Sequence, residues 1–483
     1  MTRARPIASV VVAGGGISAW SAAAALKRRI PSLEVTLVSL PVPPNALADR
    51  IISTLPSIRG FHDDIGLTDE DSITRAASGL RLGALFEGWA EDLPSYVHAY
   101  GPYGAPVGGV PFHELWLRDH RSAGLPPFDS FSPAAELARS GASFVSPSTD
   151  LAYGLQLSLD RYGELMRAFA AHLGVMERQG PITDVRLRSG DGFIEWLMLD
   201  EGRAITADLF VDATGPAAQL HSRVESAFID WQRWLPCDRL LMSEGSADRT
   251  AIVTDRVTAS PFGWRWAASS PTASSSGSVF SSAHAGDREF ENRAAEPVDL
   301  KQGRRRDFWV RNCVAIGDAA VSVEPLEWSN LHLVHSQIDR MIEMMPGADC
   351  APVELAEFNR QCAAEADRAR DFLCLHYVCA QRSEPFWKDA AGITPPASLA
   401  HTLEQFAERA RLPFYEEETF ARDSWLAVLI GQGFEPRRAH PLTELVPPGE
   451  AAQALRGMRQ ALERSPASLP TSTLIDLNPR GAR

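Results

Sequence analysis

Three consecutive glycines, Gly14 to Gly16, separate a β-branched run at residues 7–13 from an alanine-rich segment, Ala19 to Arg28. A second β-branched run follows at residues 34–38. Short apolar runs of this kind suit buried parallel strands, and the segment between them has helical composition. The order strand, glycine turn, helix, strand predicts a βαβ unit at the very start of the chain. Gly14-Gly15-Gly16-Ile17-Ser18-Ala19 fits G-x-G-x-x-A. Gly14 permits the tight turn, Gly16 lets the backbone approach a pyrophosphate, and Ala19 lets the helix pack on the strand. The free N–H groups and positive dipole end of the helix then face the phosphates. Ser39 stands where the second strand ordinarily ends in an acidic residue for the ribose hydroxyls, and it offers a single, weaker hydrogen bond.

Two later strand ends favour FAD over a nicotinamide nucleotide. Residues 205–211 lead into Asp212-Ala213-Thr214-Gly215, and residues 313–317 form a short strand ending at Gly317-Asp318. The second is placed like the aspartate that contacts the ribityl chain in FAD-binding monooxygenases. Gly431-Gln432-Gly433 lacks a preceding strand, so no second dinucleotide unit is expected. Reduced FAD is therefore expected from a separate flavin reductase. The expected fold is α/β: a Rossmann-like FAD-binding domain of the monooxygenase (GR2/PHBH) type, with a mixed-sheet substrate region and a helical C-terminal part. The expected boundaries are 1–340 for interleaved FAD- and substrate-binding parts, 341–465 for the helical part and 466–483 for a loose tail. Residues 158–173 read as a helix, and the Ala/Ser/Thr-rich stretch 267–279 reads as a loop.

The formal net charge of −14 argues against nucleic acid or an anionic membrane as partner, since both need a positive field. No uncharged apolar stretch reaches the roughly 18 residues of a membrane span. Arg304, Arg305 and Arg306 read as a solvated basic turn. The six cysteines form no C-x-x-C pair and match no zinc spacing, so no metal is expected. They read as reduced thiols of a cytoplasmic protein.

Further segments carry a resemblance. They are Phe86-Glu87-Gly88-Trp89, Leu235-Pro236-Cys237-Asp238-Arg239, Gly263-Trp264-Arg265-Trp266, Glu324-Pro325-Leu326-Glu327, Asp371 to Tyr377, and Ser424-Trp425 through Gly433. In this combination the chain resembles the flavin-dependent tryptophan halogenases over nearly its whole length. The resemblance implies reduced FAD, O2 and halide as reactants. It implies a lysine that delivers halogen to an indole or similar aromatic ring, an assisting glutamate, and a homodimer.

Several residues depart from the family pattern. Counting from Phe86 and Trp89, the lysine position is Arg81. Arginine stays protonated and cannot form a covalent halogen adduct. The other lysines, Lys27, Lys301 and Lys388, match no site position. Ala268 and Ser269 replace Ile and Pro of W-x-W-x-I-P, and Ile51-Ile52-Ser53-Thr54 replaces a G-E-A-T-like strap. After Glu327 the family's S-T-G becomes Trp328-Ser329-Asn330, which alters the approach of backbone to a small anion.

Glu327 and Arg81 are thus the catalytic candidates. A structural carboxylate capping backbone is the other reading of Glu327. Trp264, Trp266, Trp328 and His113 are the substrate candidates, while His332 and His335 read as packing residues. Halogenation, oxygenation without halide, and non-catalytic ligand or partner binding all stay open.

Overall fold

The computed structural model describes residues 5–464, apart from 69, 142–150, 201, 226, 247–251 and 286–295. The tail expected at 466–483 lies outside the described residues. The opening βαβ unit forms as expected. Strand Ser9–Ala13 pairs in parallel with Glu34–Ser39 on one side and Leu209–Asp212 on the other. Cys313–Ala315 and Met176–Gln179 extend the sheet, and Trp309–Val310 closes one edge antiparallel. Val10, Val11 and Val12 are all buried, because helices or a small sheet cover both faces. Helix Ile17–Arg29 buries Ala22 to Leu26 completely and packs against helices Leu159–Leu173 and Asn330–Glu343. Small side chains on this helix permit the close approach.

The run expected at 205–211 divides. Ala204–Ile205 joins a small antiparallel sheet with Ile194–Leu199, and only Leu209–Asp212 enters the main sheet. Residues 267–279 are not a loop. Apart from the turn at 270–272 they belong to strands Gly263–Ser269 and Ala273–Phe280, at the middle of a seven-stranded mixed sheet. The serines pair across full ladders with Arg239–Ser246 and with Gly263–Ser269, so backbone pairing overrides weak β propensity. Gly277 is required there, since a Cβ would overlap the Trp266 ring.

The expected basic turn is also corrected. Arg304 and Arg305 lie in strand Gly303–Arg305 and are buried, with Arg304 Nε and Nη2 on Asp367 at 2.9 and 3.0 Å. Strand pairing with Phe228–Asp230 holds them inside, and only Arg306 reaches the surface, paired with Glu225 at 2.6 Å.

The helical part is dominated by the 27-residue helix Pro352–Val378, buried without interruption from Arg368 to Tyr377. One apolar core runs from Ile7 to Leu455 and joins this helix to both large sheets. All six cysteines are free and buried. Among the described residues no helix is long and apolar enough to cross a membrane.

Candidate active site

Two regions converge on the strand ends. The first is the nucleotide cradle. Gly14 has φ +149, and a Cβ there would stand 2.5 Å from the Ala213 carbonyl oxygen. Asp212 braces the neighbouring strand end from within. Its Oδ1 accepts from Thr214 N–H at 3.0 Å, and its Oδ2 accepts from Leu220 and His221 N–H at 2.8 Å each. Gly215, with φ +78, turns the chain away. Ser39, Gly15, Gly16 and Asp49 line a cavity of about 340 Å³. A second cavity of about 570 Å³ shares Val42, Asp49, Leu159 and Asp160 with it and continues to Ile52 and Ser274.

Asp318 follows the left-handed Gly317 (φ +58). Its Oδ2 accepts from Ala48 N–H at 2.9 Å, while its buried Oδ1 has no partner. Burial pushes its carboxyl up to about 8. A glycine turn beside a helix start, together with an orphaned carboxyl oxygen, fits the diphosphate and the polyol of FAD. One residue does not fit: the Asp49 carboxylate lies against Gly16, at the helix start itself.

The second region is the carboxylate Glu327. Its carboxylate meets His98 Nδ1 at 2.8 Å and His376 Nε2 at 3.0 Å, so it is not a backbone cap. Burial alone would push it up, but His98 and His376 outweigh this and hold it at about 2. His376 is itself pushed down by burial, an effect Glu327 offsets only in part. Gln432 Nε2 donates to His376 Nδ1 at 3.4 Å, which leaves the ring proton on Nε2, facing Glu327. His98 Nε2 is buried without a partner. An imidazole bonded to a carboxylate at one nitrogen and free at the other has the geometry a general base needs.

Arg81 is buried near this dyad and held by two hydrogen bonds. Its Nε donates to Asp255 Oδ2 at 2.5 Å, and its Nη1 donates to the Thr54 carbonyl at 3.1 Å. The guanidinium lies 4.1 Å from the Trp328 ring centroid and 5.1 Å from that of Tyr100. Gln156 Nε2 donates to the other Asp255 oxygen at 2.9 Å. Glu327 and Trp328 both adopt left-handed backbone, φ +62 and +56, a costly pairing for two bulky residues. That turn points Glu327 at the histidines while Trp328 covers Arg81.

A cavity of about 620 Å³ opens in the helical part, lined by Leu412, Tyr415, Phe420, Arg422 and Trp425 among others. Phe372 stacks on Phe420 with centroids 4.0 Å apart and meets the Trp425 ring at 5.0 Å. On its other side Phe372 touches His98 and His376, at 5.8 and 5.6 Å. A single ring thus stands between the cavity wall and the Glu327 dyad.

Of the substrate candidates, Trp328 packs on the Arg81 guanidinium next to Glu327. His113 lies behind the cavity wall, where Nε2 accepts from Arg422 Nη2 at 3.2 Å. Burial, then Arg422 and His440, push its imidazole down to about 3, so it is neutral. Trp264 donates from Nε1 to the Tyr377 hydroxyl at 3.0 Å, and that hydroxyl donates to Glu324 at 2.6 Å. Trp266 packs against Trp264 inside the sheet. His332 and His335 pack as read: His335 stacks on Phe61 at 3.7 Å, and His332 contacts Ser57 and Glu365.

Sequence reasoning missed His98, His376, Asp255 and Asp49. His376 lay within a quoted matching segment, and the alternation of His98 with Tyr96 and Tyr100 was a visible signal. Asp255 and Asp49 carried none.

The family model described as tryptophan halogenase matches residues 9–448. A flavin-dependent halogenase from Brevundimonas sp. BAL3, BrvH, is 32% identical with a TM-score of 0.89, covering 96% of this chain and 98% of its own. Xcc4156, a flavin-dependent halogenase from Xanthomonas campestris, is 31% identical with a TM-score of 0.88, at 96% and 97% coverage. Among curated relatives, the 7-chloro-L-tryptophan 6-halogenase KtzR of Kutzneria sp. (strain 744) is 26% identical, over 96% of this chain and 98% of its own. The chain belongs to the tryptophan halogenase family.

Proposed function

We propose that this protein uses reduced FAD and O2 to oxidise an aromatic, indole-like substrate, by halogenation or by oxygenation. The observation that carries this reading is the buried His98–Glu327 dyad, one aromatic ring away from a cavity lined by both aromatic and charged side chains. Gly14, Gly16, Ala19, Ser39 and Asp318 would hold the flavin nucleotide, with Asp212 and Gly215 shaping the neighbouring turn. When bound, reduced flavin supplies the two electrons for O2 activation. A separate reductase supplying reduced FAD, a cytoplasmic location and a homodimer belong to the same reading.

Electrophilic substitution on an aromatic ring forms a bond from ring carbon to halogen or oxygen and releases one proton. With the Phe372 ring swung aside, His98 Nε2 would take that proton, and the ionised Glu327 would stabilise the imidazolium formed. Phe372, Phe420 and Trp425 exclude water and orient the ring. Arg81 holds a positive charge close by, fixed by Asp255, but has no lone pair with which to carry halogen. That favours direct transfer within the site over a covalent relay.

The test supplies chemically reduced FAD, O2 and a panel of indoles, with and without bromide, and reads products by mass spectrometry. Oxygenated product independent of bromide selects oxygenation. Halide-dependent product selects halogenation. A substrate panel that leaves O2 consumption at the rate of free flavin sinks the reading.

A further inference from the structure

The helix start that a diphosphate would occupy already holds an anion belonging to the chain. Asp49 Oδ1 accepts from the Ser18 backbone N–H and from the Ser18 hydroxyl, both at 2.7 Å. Gly16, the N-cap of helix Ile17–Arg29, has no side chain with which to cap it. A Cβ on Gly16 would collide with the Asp49 carboxylate. The room that glycine leaves at this position is therefore filled by Asp49. The geometry is that of an N-cap supplied from elsewhere in the chain, with the carboxylate taking the N–H and dipole contacts a phosphate would take.

Independent contacts hold the segment in place. Ala48 N–H donates to Asp318 Oδ2 at 2.9 Å, so the carboxylate that fits the flavin polyol is tied to the residue before Asp49. The adjoining cavity is also acidic. Asp49, Asp160, Glu164 and Glu177 line it, and Arg167, the cation among its lining residues, is held by Glu177 at 2.7 Å. A diphosphate entering there meets like charge and finds the Ser18 donors taken.

Building on the flavin reading above, we propose that Asp49 competes internally for the diphosphate position, so that the segment Leu47–Asp49 must leave the helix start before a flavin nucleotide binds. Asp49 thereby sets flavin affinity. The self-capped form is the resting state of the free protein, and the binding free energy of the nucleotide is reduced by that needed to uncap the helix.

The experiment titrates oxidised FAD into the full chain, following flavin fluorescence, for the wild type, Asp49→Gly and Asp49→Asn. Melting temperatures of the free proteins are read in parallel. Asp49→Gly should lower Kd about tenfold or more, while the melting temperature of the free protein falls because its cap is lost. Ser18→Ala keeps the carboxylate but removes one of its two hydrogen bonds. It should tighten FAD binding to a smaller extent, and it serves if the Asp49 variants do not fold. Wild type that binds FAD as tightly as its variants, or more tightly, overturns the proposal and leaves the flavin reading standing. No binding by any variant at about 1 mM FAD overturns the flavin reading itself, and the proposal with it.

Discussion

At Arg81 the exchange of one cation for another changes the chemistry, because the surroundings have adapted to the guanidinium. Asp255 and Arg81 are both buried, so each charge depends on the other. Restoring lysine alone should not create a halogen carrier. In Arg81→Lys, Asp255 would keep the ammonium protonated and its lone pair unavailable. Arg81→Lys combined with Asp255→Asn removes that counter-charge, and desolvation then favours the neutral amine. We expect halide-dependent product from the double variant above the level of either parent, read by mass spectrometry with bromide. Asp255→Asn alone should destabilise the fold by about 3–5 kcal/mol, measured by denaturant unfolding, because it leaves Arg81 buried and unpaired. The dyad makes a separate prediction. His98→Asn should lower kcat by about 10²- to 10⁴-fold with little change in KM, since proton removal is lost while binding is kept. A KM effect alone would mean that His98 only lines the site.

At the scale of elements, the mixed sheet depends on small residues where large ones cross. Gly277 lies in strand Ala273–Phe280 beneath the Trp266 ring. Gly277→Ala should cost about 1–3 kcal/mol, because the indole must leave its rotamer or the strands must part. Equilibrium unfolding measures this, and an unchanged midpoint would show that Trp266 relaxes freely. The left-handed pair Glu327–Trp328 is a second such element. It aims adjacent side chains in different directions, one to the histidines and one to Arg81, which ordinary helical or extended backbone would not do.

Across the whole molecule, buried carboxyls of opposite behaviour set the pH dependence of stability. Asp318 is held up to about 8 and Glu324 to about 7, mainly by burial. Between about pH 4 and 8 the folded chain therefore binds more protons there than the unfolded chain, and these groups lower stability as pH rises. Glu327 and Glu365 are held near 2 by histidine and arginine partners that outweigh burial. Their stabilisation is present above the ordinary carboxylate range and is lost as pH falls toward 2. The melting temperature should therefore rise from pH 8.5 to about pH 6.5 and fall at lower pH, where the unfolded chain protonates histidines that burial keeps neutral in the fold and, further down, the Glu327 and Glu365 stabilisation is lost. A curve that rises steadily with pH would mean that Asp318 and Glu324 are ionised in the folded chain.

What the sequence determined by itself was local: the βαβ unit with its glycine turn, the strand ends at Asp212 and Asp318, the long helical part, and the places of Arg81 and Glu327 in matched segments. The elements among these depend on neighbours within a few positions, where periodicity and turn chemistry act, while Arg81 and Glu327 were placed by the family resemblance. Tertiary structure alone decided what those residues face. His98, Glu327 and His376 come from a strand, a turn and a helix far apart in the chain, and Asp255 is 174 residues from Arg81. The serine-rich stretch became central strands because its neighbours supply the ladder. Asp49 reached the first helix through the packing of an irregular segment. Side-chain charges meet through space, and no spacing along the chain encodes which carboxylate will lie on which donor.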